Sequence, residues 1–151
     1  LMDWGVAKIW GRPNDGAAAD EVTDAELRER LTAAGSRPGT PLYMSPEQVY
    51  GNKTIDERTD VFSMGVVLYE VLALREPFQG RTIEETFKNI CHATPPPPGD
   101  VSQHLTVPKR LDEICMKAMH KEPRRRYTRI LDMVDEMRQF REETMVGPTD
   151  T

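Results

Sequence analysis

Cysteine is scarce in this sequence: Cys91 and Cys115 are the only two in 151 residues. A single pair cannot build the disulfide framework of a small secreted domain. A chain this long buries roughly 68–70% of its unfolded surface on folding, so its core needs no such staple. Both cysteines fall on apolar helical faces, where a free thiol serves as a small hydrophobe, and a reducing, cytoplasmic setting is expected. Histidine is thin as well: His92, His104 and His120 are scattered, and no Cys or His pair has the spacing of a structural zinc site. The longest mostly apolar run, Val61 to Leu74, is 14 residues long and is interrupted by Ser63, Gly65 and Glu70. That falls short of the roughly 17–25 residues that span a bilayer, so no membrane segment is expected in this chain. Leu1 to Gly5 show neither the basic start nor the apolar stretch of a secretory signal. No Gly-x-Ser-x-Gly elbow is present, which leaves hydrolase chemistry without local support. Positive charge is outweighed, with 20 Lys and Arg against 25 Asp and Glu and a net charge of -5. The one basic stretch, residues 109–129, holds eight basic residues against three acids but lacks interleaved aromatics for base stacking. It reads as solvated helix ends with one buried, ion-pairing arginine, and no nucleic-acid partner is expected.

What is present is a series of helical segments behind an irregular start. Leu1-Met2, Asp3-Trp4-Gly5 and Val6 to Trp10 suggest a short strand, a tight turn and a second extended piece. Residues 14–38 carry six acids, three arginines, three consecutive alanines and almost no large apolar residues, the signature of a long solvent-facing loop. Only Asp24 to Ala33, with Leu27 and Leu31, could form a helix there. Ser45-Pro46-Glu47-Gln48 combines an N-cap serine, a first-turn proline and a Gln placed for a capping box. From about Thr59 to Leu74 apolar residues surround the helix axis, which predicts burial on every side. Thr82-Ile83-Glu84-Glu85 reads as a second capping box, opening a helix carried by Ile83, Phe87, Ile90 and Cys91. Pro95 to Pro98 end it as a stiff, extended connector. Leu111, Ile114, Cys115, Ala118 and Met119 mark a further helix, and Ile130, Val134, Met137 and Phe140 the last, with a frayed tail after about Glu143.

Five short segments occur in a particular order: Asp3-Trp4-Gly5; Gly39-Thr40-Pro41-Leu42-Tyr43-Met44-Ser45-Pro46-Glu47; Asp60-Val61-Phe62-Ser63-Met64-Gly65; Pro77-Phe78-x-Gly80; and Pro123-x-x-Arg126-Tyr127. On these the sequence resembles the eukaryotic-type (Hanks-type) serine/threonine protein kinases, especially their bacterial members. The match covers the back half of that domain, from the metal-binding turn to the last helix of the C-terminal lobe. The resemblance implies a protein-kinase-like C-terminal lobe, mainly α-helical with a short N-terminal β piece. Its parts would be a kinase fragment over residues 1–143, with an activation segment at 3–47 and a helical core at 45–142, then a tail at 144–151.

The same resemblance implies roles for individual residues. Asp3, with Gly5, matches the D-F-G motif that binds the cofactors ATP and Mg2+; Trp4 departs from the usual Phe while remaining a large apolar ring. Thr40 matches the threonine of the substrate-receiving loop, whose hydroxyl contacts the catalytic Asp and Lys, and its Gly-Thr context favours Ser/Thr substrates. Glu47 matches the A-P-E glutamate and Arg126 its buried partner, Arg126 being favoured over Arg124 and Arg125 by its spacing to Pro123 and Tyr127. Asp60 matches the residue that hydrogen-bonds the catalytic-loop backbone, against a plainer reading as a helix-start acid favoured by the dipole. Thr32, Ser36 and Thr40 are candidate phosphorylation sites, and Thr23 a poorer one, because a phosphorylated hydroxyl adds about two charges and three strong acceptors for Arg to order.

The Gly-rich phosphate loop, the strand lysine, its helix glutamate and the H-R-D catalytic loop are absent. The chain by itself is therefore expected to be inactive, an excerpt whose missing parts, including the N-terminal kinase lobe, stand upstream. Two functions compete: part of a kinase that phosphorylates protein Ser and Thr with Mg-ATP, or a pseudokinase-like interaction module that recognises partners through the helix at Ile83 to Cys91. A truncated product that merely folds as a helical domain is a third, weaker reading.

Overall fold

The computed structural model describes residues 41–145. The expected strand and turn at residues 1–10, the loop at 14–38 and the tail from 146 lie outside the described residues. Those described are mainly helical, with no strand among them. A 3-10 turn at Pro41–Tyr43 leads into α1 (Pro46–Val49), followed by α2 (Arg58–Ala73), α3 (Ile83–His92), α4 (Pro98–Val101), α5 (Lys109–Ala118), a second 3-10 turn at Pro123–Arg125, and α6 (Ile130–Met145).

Local chemistry sets these boundaries. At α1 both halves of the capping box form: the Gln48 N–H donates to Ser45 Oγ, and the Ser45 N–H donates to Gln48 Oε1 at 3.0 Å. At α3 only one half forms. Thr82 Oγ1 accepts from the Glu85 N–H, but the Glu85 carboxylate accepts from the N–H of Arg81, one residue earlier than a box requires. The proline run is also shorter than expected. Pro98 begins α4, because proline's fixed φ and missing N–H suit a first helical turn, and only the stretch before it is a connector. The last helix runs on through Thr144 and Met145.

The core forms around one face of α2. Phe62, Val66, Tyr69 and Ala73 join Val49, Phe78, Phe87, Ile90, Cys115 and Met119 in one cluster, with the Phe62 and Phe78 rings stacked at 5.8 Å. Val61 turns to a second cluster with Ile114, Ala118, Tyr127 and Met133, which ties α5 and α6 to α2. Burial of each large side chain contributes about 1.5–3 kcal/mol. Cys91 and Cys115 are free thiols; Cys115 is fully buried, donates to the Gly65 carbonyl, and is pushed up to about 12 by desolvation.

The expectation that α2 is buried on every side is overturned. Met64, Val67, Val71 and Leu74 are exposed, Val71 and Leu74 to 60%. An apolar surround states what a helix can bury; the helices described here cover one side of it and leave the other bare. The covered side is packed closely at Gly65, where an added Cβ would come within 2.8 Å of Ala118 Cβ and Met119 Cγ and 3.2 Å of the Met119 backbone nitrogen. Gly65→Val is expected to cost about 1–3 kcal/mol through overpacking at this crossing, measured by urea unfolding; unchanged stability would show that α2 and α5 separate freely.

Candidate functional site

The segment that follows Thr40 is held on the helical bed at two points. At the first, Tyr43 donates its hydroxyl to Glu70 Oε2 at 2.7 Å, while its carbonyl accepts from Ser63 Oγ at 2.6 Å. The Glu70 hydrogen bond, aided by burial, raises the Tyr43 phenol above its ordinary range. Glu70 and Ser63 are polar breaks in the apolar run of α2, and the turn at Pro41–Tyr43 uses both.

The second point is the buried pair of Glu47 and Arg126. Glu47 lies in the first turn of α1, and Arg126 closes the Pro123–Arg125 turn some 79 residues later. Their side chains are 9% and 0% exposed. The pair is bidentate: Arg126 Nη1 donates to Glu47 Oε1 at 2.5 Å and Nη2 to Oε2 at 2.9 Å. A guanidinium has five N–H donors, and the other three bonds go to backbone carbonyls. Nε donates to His120, Nη1 to Arg58 and Nη2 to Lys121, at 2.6, 3.0 and 3.1 Å. The plane also lies 4.9 Å from the Phe62 ring centroid. Thr59 donates to Glu47 Oε1 at 2.7 Å and hydrogen-bonds the fully buried Ser45 hydroxyl. No buried side-chain polar atom is left without a partner among the described residues. Of the three consecutive arginines only Arg126 turns inward; the Arg124 and Arg125 side chains are 83% and 65% exposed.

Burial by itself would push the Glu47 carboxyl up. The hydrogen bonds from Arg126 and Thr59, its own backbone N–H and the Arg126 charge outweigh that and hold it below the usual carboxylate range. The anion is thus the form that fits the site.

Asp60 stands apart from this cluster. It sits in the first turn of α2, where its N–H donates to the Glu57 carbonyl; the residue is exposed, its side chain has no hydrogen bond or ion pair among the described residues, and partial desolvation pushes its carboxyl up. Asp3, Gly5, Thr32, Ser36 and Thr40 lie outside the described residues. Among those described, no group of three or more His, Cys, Asp or Glu is arranged to hold a metal ion, and no helix is long and apolar enough to cross a membrane. Sequence reasoning missed the parts played by Thr59, Ser63 and Glu70. Their one visible signal is that each is polar within or beside an apolar helix.

Comparison with known proteins now decides the family: residues 1–140 match the protein kinase domain. The chain belongs to the protein kinase domain family. It is similar to bacterial serine/threonine kinases of the Hanks type. A serine/threonine-protein kinase PknD of Chlamydia pneumoniae is 29% identical over 140 residues, 91% of this chain and 14% of the relative. A probable serine/threonine-protein kinase PknB of Bifidobacterium longum is 36% identical over 84% of this chain, and PknB of Mycolicibacterium smegmatis 34% over 88%, covering 16% and 19% of those relatives. The chain therefore spans a fifth or less of the length of each of these three kinases. As in the kinase fold, the described part is a helical lobe, here with Glu47 and Arg126 at its centre.

Arg126→Ala is expected to cost about 3–5 kcal/mol, because it strands the Glu47 charge in the interior. Lowering the pH tests the same pair. A carboxylate whose folded pKa is depressed contributes stability above its unfolded value of about 4.5 and loses it as pH falls through the folded value. Urea unfolding is therefore expected to show a loss below pH 4.5 that is smaller in Glu47→Gln. An identical acid limb in the two proteins would remove Glu47 from that role.

Proposed function

We propose that this chain is the C-terminal-lobe portion of a serine/threonine protein kinase, which transfers the γ-phosphate of ATP to protein Ser and Thr hydroxyls. In this reading residues 3–47 form the activation segment, residues 45–142 the helical core that supports it, and residues 144–151 a tail. The observation that carries the reading is the bidentate Glu47 to Arg126 pair, with Tyr43 held by Glu70 and Ser63 beside it. Phosphoryl transfer asks a protein for positioning and charge neutralisation more than for covalent chemistry. A peptide-receiving loop fastened at Tyr43 and at Glu47 to a packed core meets the first requirement.

The remaining roles follow from the family. Bound Mg-ATP supplies the phosphoryl group, and Asp3, backed by Gly5, is the residue of this chain that would hold the magnesium. Thr40 would orient the incoming hydroxyl, immediately ahead of the anchored turn. Asp60, whose side chain has no partner among the described residues, would accept hydrogen bonds from a catalytic-loop backbone. The bare apolar face of α2 offers a surface for further parts of a kinase domain, among them those that contact the N-terminal lobe. Thr32 and Ser36 are the preferred regulatory hydroxyls, a phosphate there being able to order the segment by pairing with Arg.

The test uses the full-length protein with Mg-ATP and a protein substrate bearing Ser and Thr. Wild type is expected to transfer phosphate and to carry phosphate itself between Thr23 and Thr40. Asp3→Asn is expected to abolish transfer with an unchanged thermal unfolding curve. Undiminished turnover in Asp3→Asn would refute the role of that residue. Absence of transfer by the wild type would favour an interaction module without catalysis.

A further inference from the structure

Helix α3 ends without a cap of its own. Ala93 follows it in an extended conformation with Pro95 two positions on, so no glycine turns the chain back to close the final carbonyls. The Asn89 carbonyl accepts from the Ala93 N–H at 2.9 Å. The Ile90 carbonyl accepts from no backbone N–H among the described residues, although Ile90 is fully buried. Its donor comes from 31 positions along the chain: Lys121 Nζ donates to the Ile90 carbonyl at 2.7 Å and to that of Asn89 at 3.4 Å. A cation there also meets the negative pole of the helix dipole. The ammonium lies 3.9 Å from the Phe78 ring centroid and 5.7 Å from that of Phe62, and it has no carboxylate partner among the described residues.

The backbone of the same residue takes part in a different contact. The Lys121 carbonyl accepts from Arg126 Nη2, which also donates to Glu47 Oε2. Phe62 faces both the ammonium and the Arg126 plane. Helix α3 in turn packs on α1 and on the turn at Pro41–Tyr43: Val49, Phe87 and Ile90 share one cluster, with Tyr43, Met44 and Cys91 against it. The path closes on itself, from Glu47 to Arg126, from there to Lys121, on to the end of α3, and back to the segment that carries Glu47.

We propose that Lys121 is a positioning residue that couples the end of α3 to the Glu47 to Arg126 pair, so that α3 and residues 41–49 keep one relative position. Net stability is not what it supplies. Burial holds the amine down at about 8, below the ordinary lysine range, so folding disfavours the ammonium relative to the unfolded chain. Methionine is of similar length, carries no charge and suits a place between two rings. Lys121→Met therefore relieves a buried charge while leaving the Ile90 carbonyl without its donor, and the two effects on stability oppose each other.

Hydrogen exchange of the full-length protein, read by peptide mass spectrometry, separates positioning from stability. Lys121→Met is expected to speed exchange about tenfold or more in the last turn of α3, the loss of one charge-assisted hydrogen bond. It is also expected to speed exchange at Val49 and Tyr50, whose N–H groups donate to the Ser45 and Pro46 carbonyls, while α6 keeps its wild-type rate. Lys121→Arg, which retains the charge and has donors for both carbonyls, is expected to keep both regions near the wild-type rate. Four results would each overturn the proposal: no acceleration in α3, acceleration confined to α3, equal acceleration in α6, or Lys121→Arg exchanging as fast as Lys121→Met.

Discussion

Arg126 engages more of this structure than any other side chain described. Its guanidinium joins the carboxylate of α1, the carbonyl of Arg58 at the start of α2, and the carbonyls of His120 and Lys121 between α5 and the last turn. A buried charge of this kind is tolerable only when every donor is used, since an unpaired N–H in an apolar interior costs about 1–3 kcal/mol. The planar fork of arginine is needed for that; a lysine at position 126 would bring a point charge with fewer donors and could not serve these carbonyls and both carboxylate oxygens. A buried ion pair of this sort is weak evidence of net stabilisation. Its plainer effect is geometric: three remote stretches of chain are given one relative position.

Helix α2 supplies the floor on which that position has meaning. On its covered side Phe62 stacks on Phe78 and also backs the Arg126 plane, so the apolar core and the ion pair share a wall. Gly65 lets α5 approach closely enough for Ala118 and Met119 to pack on the helix backbone. Ser63 and Glu70, which break the apolar run, reach outward to hold the turn at Tyr43. The helix thus acts at once as core element and as anchor for the turn at Pro41–Tyr43.

Much of this was legible in the linear chain. Capping residues at Ser45 and Thr82, helical spacing through α5 and α6, and the pairing of Glu47 with Arg126 in preference to Arg124 or Arg125 were all readable. Local steric preferences fix where helices begin, and a motif fixes which of three equivalent arginines turns inward. The errors arose where neighbours decide. Helix α2 was expected to be covered all round, yet Val67 and Val71 are bare. The box at Thr82 was expected to close on itself, yet Glu85 reaches Arg81.

By itself the amino-acid order determined the helices and the family, because propensity, capping and an ordered set of motifs depend on residues a few positions apart. Only the tertiary structure decided which faces are covered, that Thr59 and four carbonyls or carboxylate groups converge on one guanidinium and its partner, and that Lys121 lies against two aromatic rings with no carboxylate partner among the described residues. Hydrogen-bond satisfaction and desolvation depend on what lies within a few ångströms in space, and the Glu47 carboxylate and Arg58 carbonyl that Arg126 binds stand 79 and 68 positions away in the chain.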